Sequence, residues 1–250
     1  MPRRWRRGWC GDDVSNFASR NPTGQFAQPP RNPAKRTCCA ESGDCGGQPP
    51  HPRDIFGKKK ELGLVEIVVS FHSGSGHTRR LAEVFAGELE ALGAAVHLAD
   101  VTSLGDADWL AMRRADGIVF AAPTYMGSIS SPFKAFMDAS SDIWGSEDGW
   151  SGKMAAGMTV GSYASGDKMT SLIQLAVFAA QHGMIWVGVD DIGAPVNPEK
   201  EGINEDGYCL GMGATSVRDK AQMIRAGDVT TARRFARRFH AACARWARGG

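Results

Sequence analysis

Val65-Glu66-Ile67-Val68-Val69-Ser70-Phe71-His72-Ser73-Gly74-Ser75-Gly76-His77-Thr78 is the stretch around which the 250-residue chain is organised. Ile67–Val69 is a short run of strand-forming apolar residues, and it drops into a loop of serine and glycine. A helical pattern follows at once, with Leu81, Val84, Phe85, Leu89 and Leu92 on one face. Strand, small-residue loop and helix in that order make an anion site: glycines let the backbone approach closely, and N–H groups and the helix dipole face the negative charge. The hydroxyls of Ser73, Ser75 and Thr78 are further donors. An ATP-type loop would need Lys and then Ser/Thr after its last glycine, but His77 and Thr78 follow Gly76. A dinucleotide fingerprint would need a third glycine where Arg79 stands. A hydroxyl-rich loop without lysine suits a monophosphate dianion held by neutral donors. An ordinary strand-to-helix turn would read the same way.

Outward from this loop, apolar strands and helical patterns alternate. Ala95–Ala99 is the second strand, and Asp106 or Ser103 is placed to cap a helix carrying Trp109, Leu110 and Met112. Gly117–Ala122 is a third strand, apolar throughout, as in strands buried on both faces of a parallel sheet. It ends in the loop Pro123-Thr124-Tyr125-Met126-Gly127. Ser130, with Pro132 in the first turn, then opens a helix bearing Phe133, Phe136 and Met137. Met154–Val160 is the fourth strand and runs into the loop Gly161–Gly166. A helix over Met169–His182 and a fifth strand over Met184–Val189 follow. Residues 190–227, rich in Gly, Asp and Asn, read as irregular. The last helix, Val229–Ala247, puts Phe235, Phe239, Ala242 and Trp246 on one side and arginines on the other. This alternation predicts an α/β protein with a doubly wound five-stranded parallel sheet, strand order 2-1-3-4-5. In such sheets ligands bind beyond the carboxyl ends of the strands, where the order reverses. The loops after strands one, three and four carry the glycines, hydroxyls and aromatics.

Residues 1–61 differ from the rest. Pro, Gly, Asn, Arg and Cys recur there without apolar periodicity, so this segment reads as a disordered basic extension or a start assigned too far upstream. Cys10, Cys38, Cys39 and Cys45 lie in it, with neither CxxC spacing nor zinc-type pairing to His, and no metal site is expected. A set built from Cys38, Cys39, Cys45 and His51 is the alternative. The start MPRRWRRGWC has no apolar core behind its arginines, and no run approaches membrane-span length, so a cytoplasmic chain without a membrane partner is expected. The net charge of +2 conceals an asymmetry: residues 1–61 carry 12 Lys/Arg against 6 Asp/Glu and residues 218–250 carry 9 against 2, leaving the intervening body at −11. No base-reading motif accompanies the basic ends, and no nucleic acid is expected as a partner.

The three loops and their order resemble the flavodoxin-like FMN proteins, and among them the WrbA-like NAD(P)H:quinone oxidoreductases. The resemblance covers roughly residues 64–250, and the flavodoxin-like FMN-binding domain is drawn as 62–250. Ser73-Gly74-Ser75-Gly76-His77-Thr78 is similar to that family's phosphate loop, including its Gly-His pair. Pro123-Thr124-Tyr125-Met126-Gly127 resembles a Pro-Thr-Arg-Phe-Gly loop that lies along the isoalloxazine. Phe136-Met137-Asp138 and Ile143-Trp144 parallel a stretch whose tryptophan lies near the substrate face in a neighbouring subunit. Val160-Gly161-Ser162-Tyr163-Ala164-Ser165-Gly166 takes the place of the third flavin loop, with about two extra residues. Gln181-His182-Gly183-Met184 matches a His-His-Gly-Met, and Gly213-Ala214-Thr215 a Gly-Ala-Thr. The family's phosphate-loop aromatic is here Ser75, and its loop arginine is Tyr125.

What the resemblance implies is FMN held by 73–78, 123–127 and 160–166, with NAD(P)H as co-substrate and a quinone-type acceptor or a redox protein as partner. It also implies a homo-oligomer, a dimer or a tetramer. His182 would be the catalytic residue, a donor at the pyrimidine edge that stabilises charge developing there, with Trp144 and Tyr125 around the acceptor. Each has a plainer reading. A histidine at a helix end can simply complement the dipole, His77 can be a helix-start residue, and Trp144 can be core or a dimer contact. The competing function is a flavodoxin-type electron carrier whose acidic body docks redox partners.

Overall fold

The structure, a computed structural model, describes residues 64–194 and 196–248. The basic segment 1–61 and its cysteine cluster lie outside the described residues.

β1 (Glu66–Phe71) leads into α1 (His77–Ala91), β2 (Ala95–Asp100), α2 (Asp106–Arg114) and β3 (Gly117–Tyr125). A two-residue β4 (Ser128–Ile129), α3 (Ser131–Ala139), β5 (Met154–Gly161) and α4 (Lys168–Gln181) follow. The chain ends in β6 (Ile185–Trp186), β7 (Met212–Thr215) and α5 (Ala226–Ala247). The parallel strands run in the order β2-β1-β3-β5-β6, which is the predicted flavodoxin-like order, with β7 also pairing β5 and β4 pairing β3 antiparallel. The sheet thus has seven strands rather than five.

Alternation along the strands divides the interior in two. Val119 and Ala121 of β3 join Ile67, Val69 and Phe71 beneath α1 and α5, where Phe85 meets Phe235 with ring centroids 5.7 Å apart. Ile118, Phe120 and Ala122 face the other way, into a cluster with Phe133, Phe136, Trp150 and Phe178 from α3, α4 and the loop before β5. The Phe120 and Phe178 rings lie 5.1 Å apart, edge to face. Burying each such ring contributes about 1.5–3 kcal/mol. Trp246, placed by periodicity on the apolar side of α5, is instead half exposed, and Cys243 fills the corresponding core position. α2 begins at Asp106 with Gly105 as N-cap, whose N–H donates to Asp108 Oδ2 at 2.8 Å. Neither Ser103 nor Asp106 caps it.

Two elements correct the sequence reading. Residues 123–125 extend β3 instead of forming a loop, and Met126 (φ 49°) and Gly127 (φ 75°) make the tight turn to β4. Left-handed backbone at both turn positions is what a two-residue hairpin of this twist requires. The predicted fifth strand, Met184–Val189, is laddered only at Ile185–Trp186. The chain then leaves the sheet, and Met212–Thr215 returns to pair with Met158–Gly161 at the carboxyl half of β5. The fifth position is therefore shared between two short strands, separated by an insertion inside the stretch that reads as irregular. Among the described residues no helix is long and apolar enough to cross a membrane.

Candidate functional site

The carboxyl ends of β1, β3 and β5 converge on a cavity of about 150 Å³ lined by Ser73, Gly74, Ser75, His77, Thr78, Pro123, Thr124, Tyr125, Val160, Gly161, Ser162 and Ser216. The loop after β1 turns at Gly76, whose φ of 91° is left-handed and whose N–H donates to Ser73 Oγ at 3.1 Å. The first bond within α1 runs from Arg80 N–H to Gly76 carbonyl at 2.9 Å. The N–H groups of the preceding turn therefore have no partner inside the helix and face the cavity end of its dipole. Tyr125 crosses this loop: a Cβ on Gly74 would stand 2.5 Å from its hydroxyl, so glycine there lets the half-exposed ring lie across the loop without shifting. The lining offers hydroxyls, backbone amides and the His77 side chain, and no lysine is among its described residues.

The second wall is held from behind. Thr124 Oγ1 lies 2.7 Å from Thr159 Oγ1 and 2.8 Å from Ser171 Oγ, tying β3, β5 and α4. The third wall, 162–167, is mostly exposed and turns through Gly166 (φ 51°) and Asp167 (φ 54°). Beneath it lies an ionic cluster that sequence reasoning missed. Lys168 is fully buried, and its Nζ donates to Asp206 Oδ2 at 2.6 Å, Thr215 Oγ1 at 2.8 Å and the Ala214 carbonyl at 3.2 Å. Arg225 Nη2 stands 2.7 Å from Asp206 Oδ1, close enough for an ion pair though not aligned as a hydrogen bond. Asp228 Oδ2 accepts from the Thr215 N–H at 2.8 Å. Burial lowers the Lys168 pKa against the pull of Asp206. Burial pushes Asp206 up, yet the Arg225 guanidinium beside it and the hydrogen bond and charge of Lys168 outweigh this and hold the carboxyl below its usual range. Asp206 and Arg225 lie in the stretch that reads as irregular, where polar composition gives no sign of a buried role. A lysine at the first helical position after the loop was the one available signal.

Of the predicted binding residues, Ser73, Gly74, Ser75, His77, Thr78, Pro123, Thr124, Tyr125, Val160, Gly161 and Ser162 line the cavity. Gly76 shapes the loop from behind. Met126, Gly127, Tyr163, Ala164, Ser165 and Gly166 lie outside it, Met126 and Tyr163 with their side chains open to solvent. Ser216, just past β7, is an added lining residue.

His182 and Trp144 are not brought to this cavity within the chain. A helix that follows a parallel strand returns to the far end of the sheet, so His182, at the end of α4, lies near the start of β5. It is buried there, its Nε2 2.9 Å from Ser140 Oγ and its ring centroid 4.4 Å from that of Trp150. Its Nδ1 is buried without a hydrogen-bond partner. Trp144 is largely exposed at the same end and donates its Nε1–H to the Gln181 carbonyl at 2.7 Å.

Burial lowers the pKa of His182, and burial also lowers that of His72 against the opposing pull of Asp100. The unfolded chain therefore takes up protons at these positions before the folded one does. Their contribution to stability is intact above pH ~6.5 and is lost as pH falls through that value toward the depressed native ones. The urea midpoint is expected to fall between about pH 7.5 and 5.5, and a His182→Gln variant to lose less over that interval. Equal pH sensitivity in the variant would show that His182 is not the neutral buried group described.

Residues 65–194 match the model of a family described as NADPH-dependent FMN reductase. Flavodoxin FldP of Pseudomonas aeruginosa is 38% identical over 182 residues, covering 70% of this chain and 95% of that protein. A flavodoxin, WrbA-like protein from Agrobacterium tumefaciens is similar in structure, with 36% identity, a TM-score of 0.56, and 71% and 96% of the two chains covered. An NAD(P)H dehydrogenase (quinone) of Archaeoglobus fulgidus is 28% identical, covering 50% of this chain and 77% of its own.

Proposed function

Since the chain belongs to the NADPH-dependent FMN reductase family, we propose that it is an FMN-dependent NAD(P)H:quinone oxidoreductase whose flavin phosphate sits in the cradle at the carboxyl ends of β1, β3 and β5. The observation that carries the reading is the cavity itself: hydroxyl and backbone donors at a helix N-terminus, a glycine that lets Tyr125 lie across the loop, and no lysine among the described lining residues. A volume of about 150 Å³ fits the phosphate and part of a polyol, and leaves a ring system at the open mouth. Backbone N–H groups of 74–78 and the hydroxyls of Ser73, Ser75 and Thr78 would hold the phosphate. Tyr125, Met126 and Tyr163 are exposed beside the mouth and provide aromatic and thioether surface for a flat partner. When bound, FMN supplies the two-electron chemistry that links a nicotinamide donor to a quinone-type acceptor. Trp144 and His182, at the other end of the sheet, would serve this site only across a boundary between copies, in keeping with a homo-oligomer.

The second reading is an electron carrier, favoured by the likeness to flavodoxin FldP and by the acidic central body. Steady oxidation of NADH or NADPH with benzoquinone separates the two. A turnover on the order of 10 per second is expected for the reductase. A flavin-loaded protein that oxidises neither nicotinamide faster than free FMN would leave the carrier.

A further inference from the structure

The stretch between β6 and β7 does more than bypass the sheet edge: it reaches back under the exposed loop 162–167. Asn204 (φ 43°) fixes that reach. Its side chain donates to the Asp191 carbonyl at 2.9 Å and the Tyr208 carbonyl at 3.2 Å, and accepts from the Tyr208 N–H at 3.1 Å. Tyr208 is buried, its ring so close to the backbone at Gly213 that a Cβ there would meet it at 2.6 Å. Lys168 Nζ stands 5.4 Å from the centre of the same ring. The phenol proton is shared between two carbonyls of the loop, Ser165 at 2.7 Å and Ala164 at 3.2 Å. Burial and the nearby Asp206 raise the phenol pKa, which keeps that proton in place.

A trans peptide points its C=O and its following N–H in opposite directions. With the carbonyls of Ala164 and Ser165 turned down onto Tyr208, the N–H groups of Ser165 and Gly166 are turned up, to the open side of the loop. Tyr208 shares the Ser165 plane with the first turn of α4, whose Lys168 N–H also donates to the Ser165 carbonyl at 3.2 Å, and it reaches the Ala164 plane from the buried side. Ser165 and Ala164 are exposed, and Gly166 and Asp167 both rest in left-handed backbone.

We infer that Tyr208 is a positioning residue of the flavin site, fixing the peptide planes of 164–166 so that their N–H groups meet the polar edge of the bound ring. The inference rests on the flavin reading above. It assigns the insertion a task, since the residue that sets the third loop arrives from a segment remote from it in sequence.

Tyr208→Phe keeps the ring against Gly213 and Lys168 and removes only the proton that reaches the loop. Oxidised FMN is titrated into wild-type and variant, each flavin-free, with the absorption band of the bound flavin recorded at saturation. The variant is expected to bind about tenfold more weakly, the effect of one hydrogen bond, and its band to move, because donors at the ring's polar edge are lost. In the flavin-free proteins, amide exchange of 162–167 is expected to quicken in the variant while that of 73–78 is unchanged. Affinity within twofold of wild-type overturns the inference. A weaker affinity with the band unmoved overturns it too, and makes Tyr208 general structural support. A wild-type protein that does not bind FMN would instead remove the flavin reading on which this stands.

Discussion

Replacing Lys168 by Met is expected to lower the free energy of unfolding by about 3 kcal/mol, measured as urea denaturation at neutral pH. The ammonium is fully buried, and each of its bonds goes to a group that has few other partners: Asp206, Thr215 Oγ1 and the Ala214 carbonyl. Removing one partner of a buried pair leaves the other charge without solvent. Here Arg225 remains beside Asp206, which holds the loss to the lower end of the usual range. Thr215 Oγ1 also still donates to Asp206 at 3.1 Å. Adding Asp206→Asn to the Lys168→Met variant should therefore recover part of the loss. A single variant within about 1 kcal/mol of wild-type would mean that methionine packing offsets the pair, as hydrophobic replacement of buried ions can.

The second large effect is on binding. Gly76→Val is expected to weaken FMN affinity by about a hundredfold while leaving the far-ultraviolet circular dichroism unchanged. Gly76 sits at φ 91°, where a β-branched residue is strained by about 1–3 kcal/mol. A Cβ there would also stand 3.1 Å from Met223 Cε, and the valine methyls reach further. The chain relieves this by reshaping the turn, and the amides of 74–78 no longer converge on one anion. Affinity within threefold of wild-type would show that the phosphate is held elsewhere.

Most of the scaffold was legible because its strands are apolar and its helices keep their period. β1, β3 and β5 are buried on both faces, and nothing but a parallel sheet interior suits Gly117–Ala122. The fifth position was not legible. Met212-Gly213-Ala214-Thr215 has little strand propensity, and it pairs with β5 because small residues let two backbones approach: a Cβ on Gly211 would lie 2.5 Å from the Gly157 carbonyl. The turn between β1 and α1 that lines the cavity was legible from its order of strand, glycines and hydroxyls. The buried cluster was not, since Asp206 and Arg225 are polar residues in a polar stretch and only tertiary packing makes them interior. The position of His182 was legible in principle. A helix returning from the carboxyl ends of the strands must finish at their amino ends, which puts His182 away from its own chain's cavity.

The divided fifth position also bears on association. A sheet edge presents free N–H and C=O groups, and a long, flat one recruits further strands. On this side the edge consists of Ile185–Trp186 and Met212–Thr215, two short runs set apart by an insertion, so neither offers a template long enough for another chain to extend. The other edge, β2, runs unbroken over Ala95–Asp100 with Leu98 partly exposed. Among the described residues, any aggregation by strand addition would have to begin at β2.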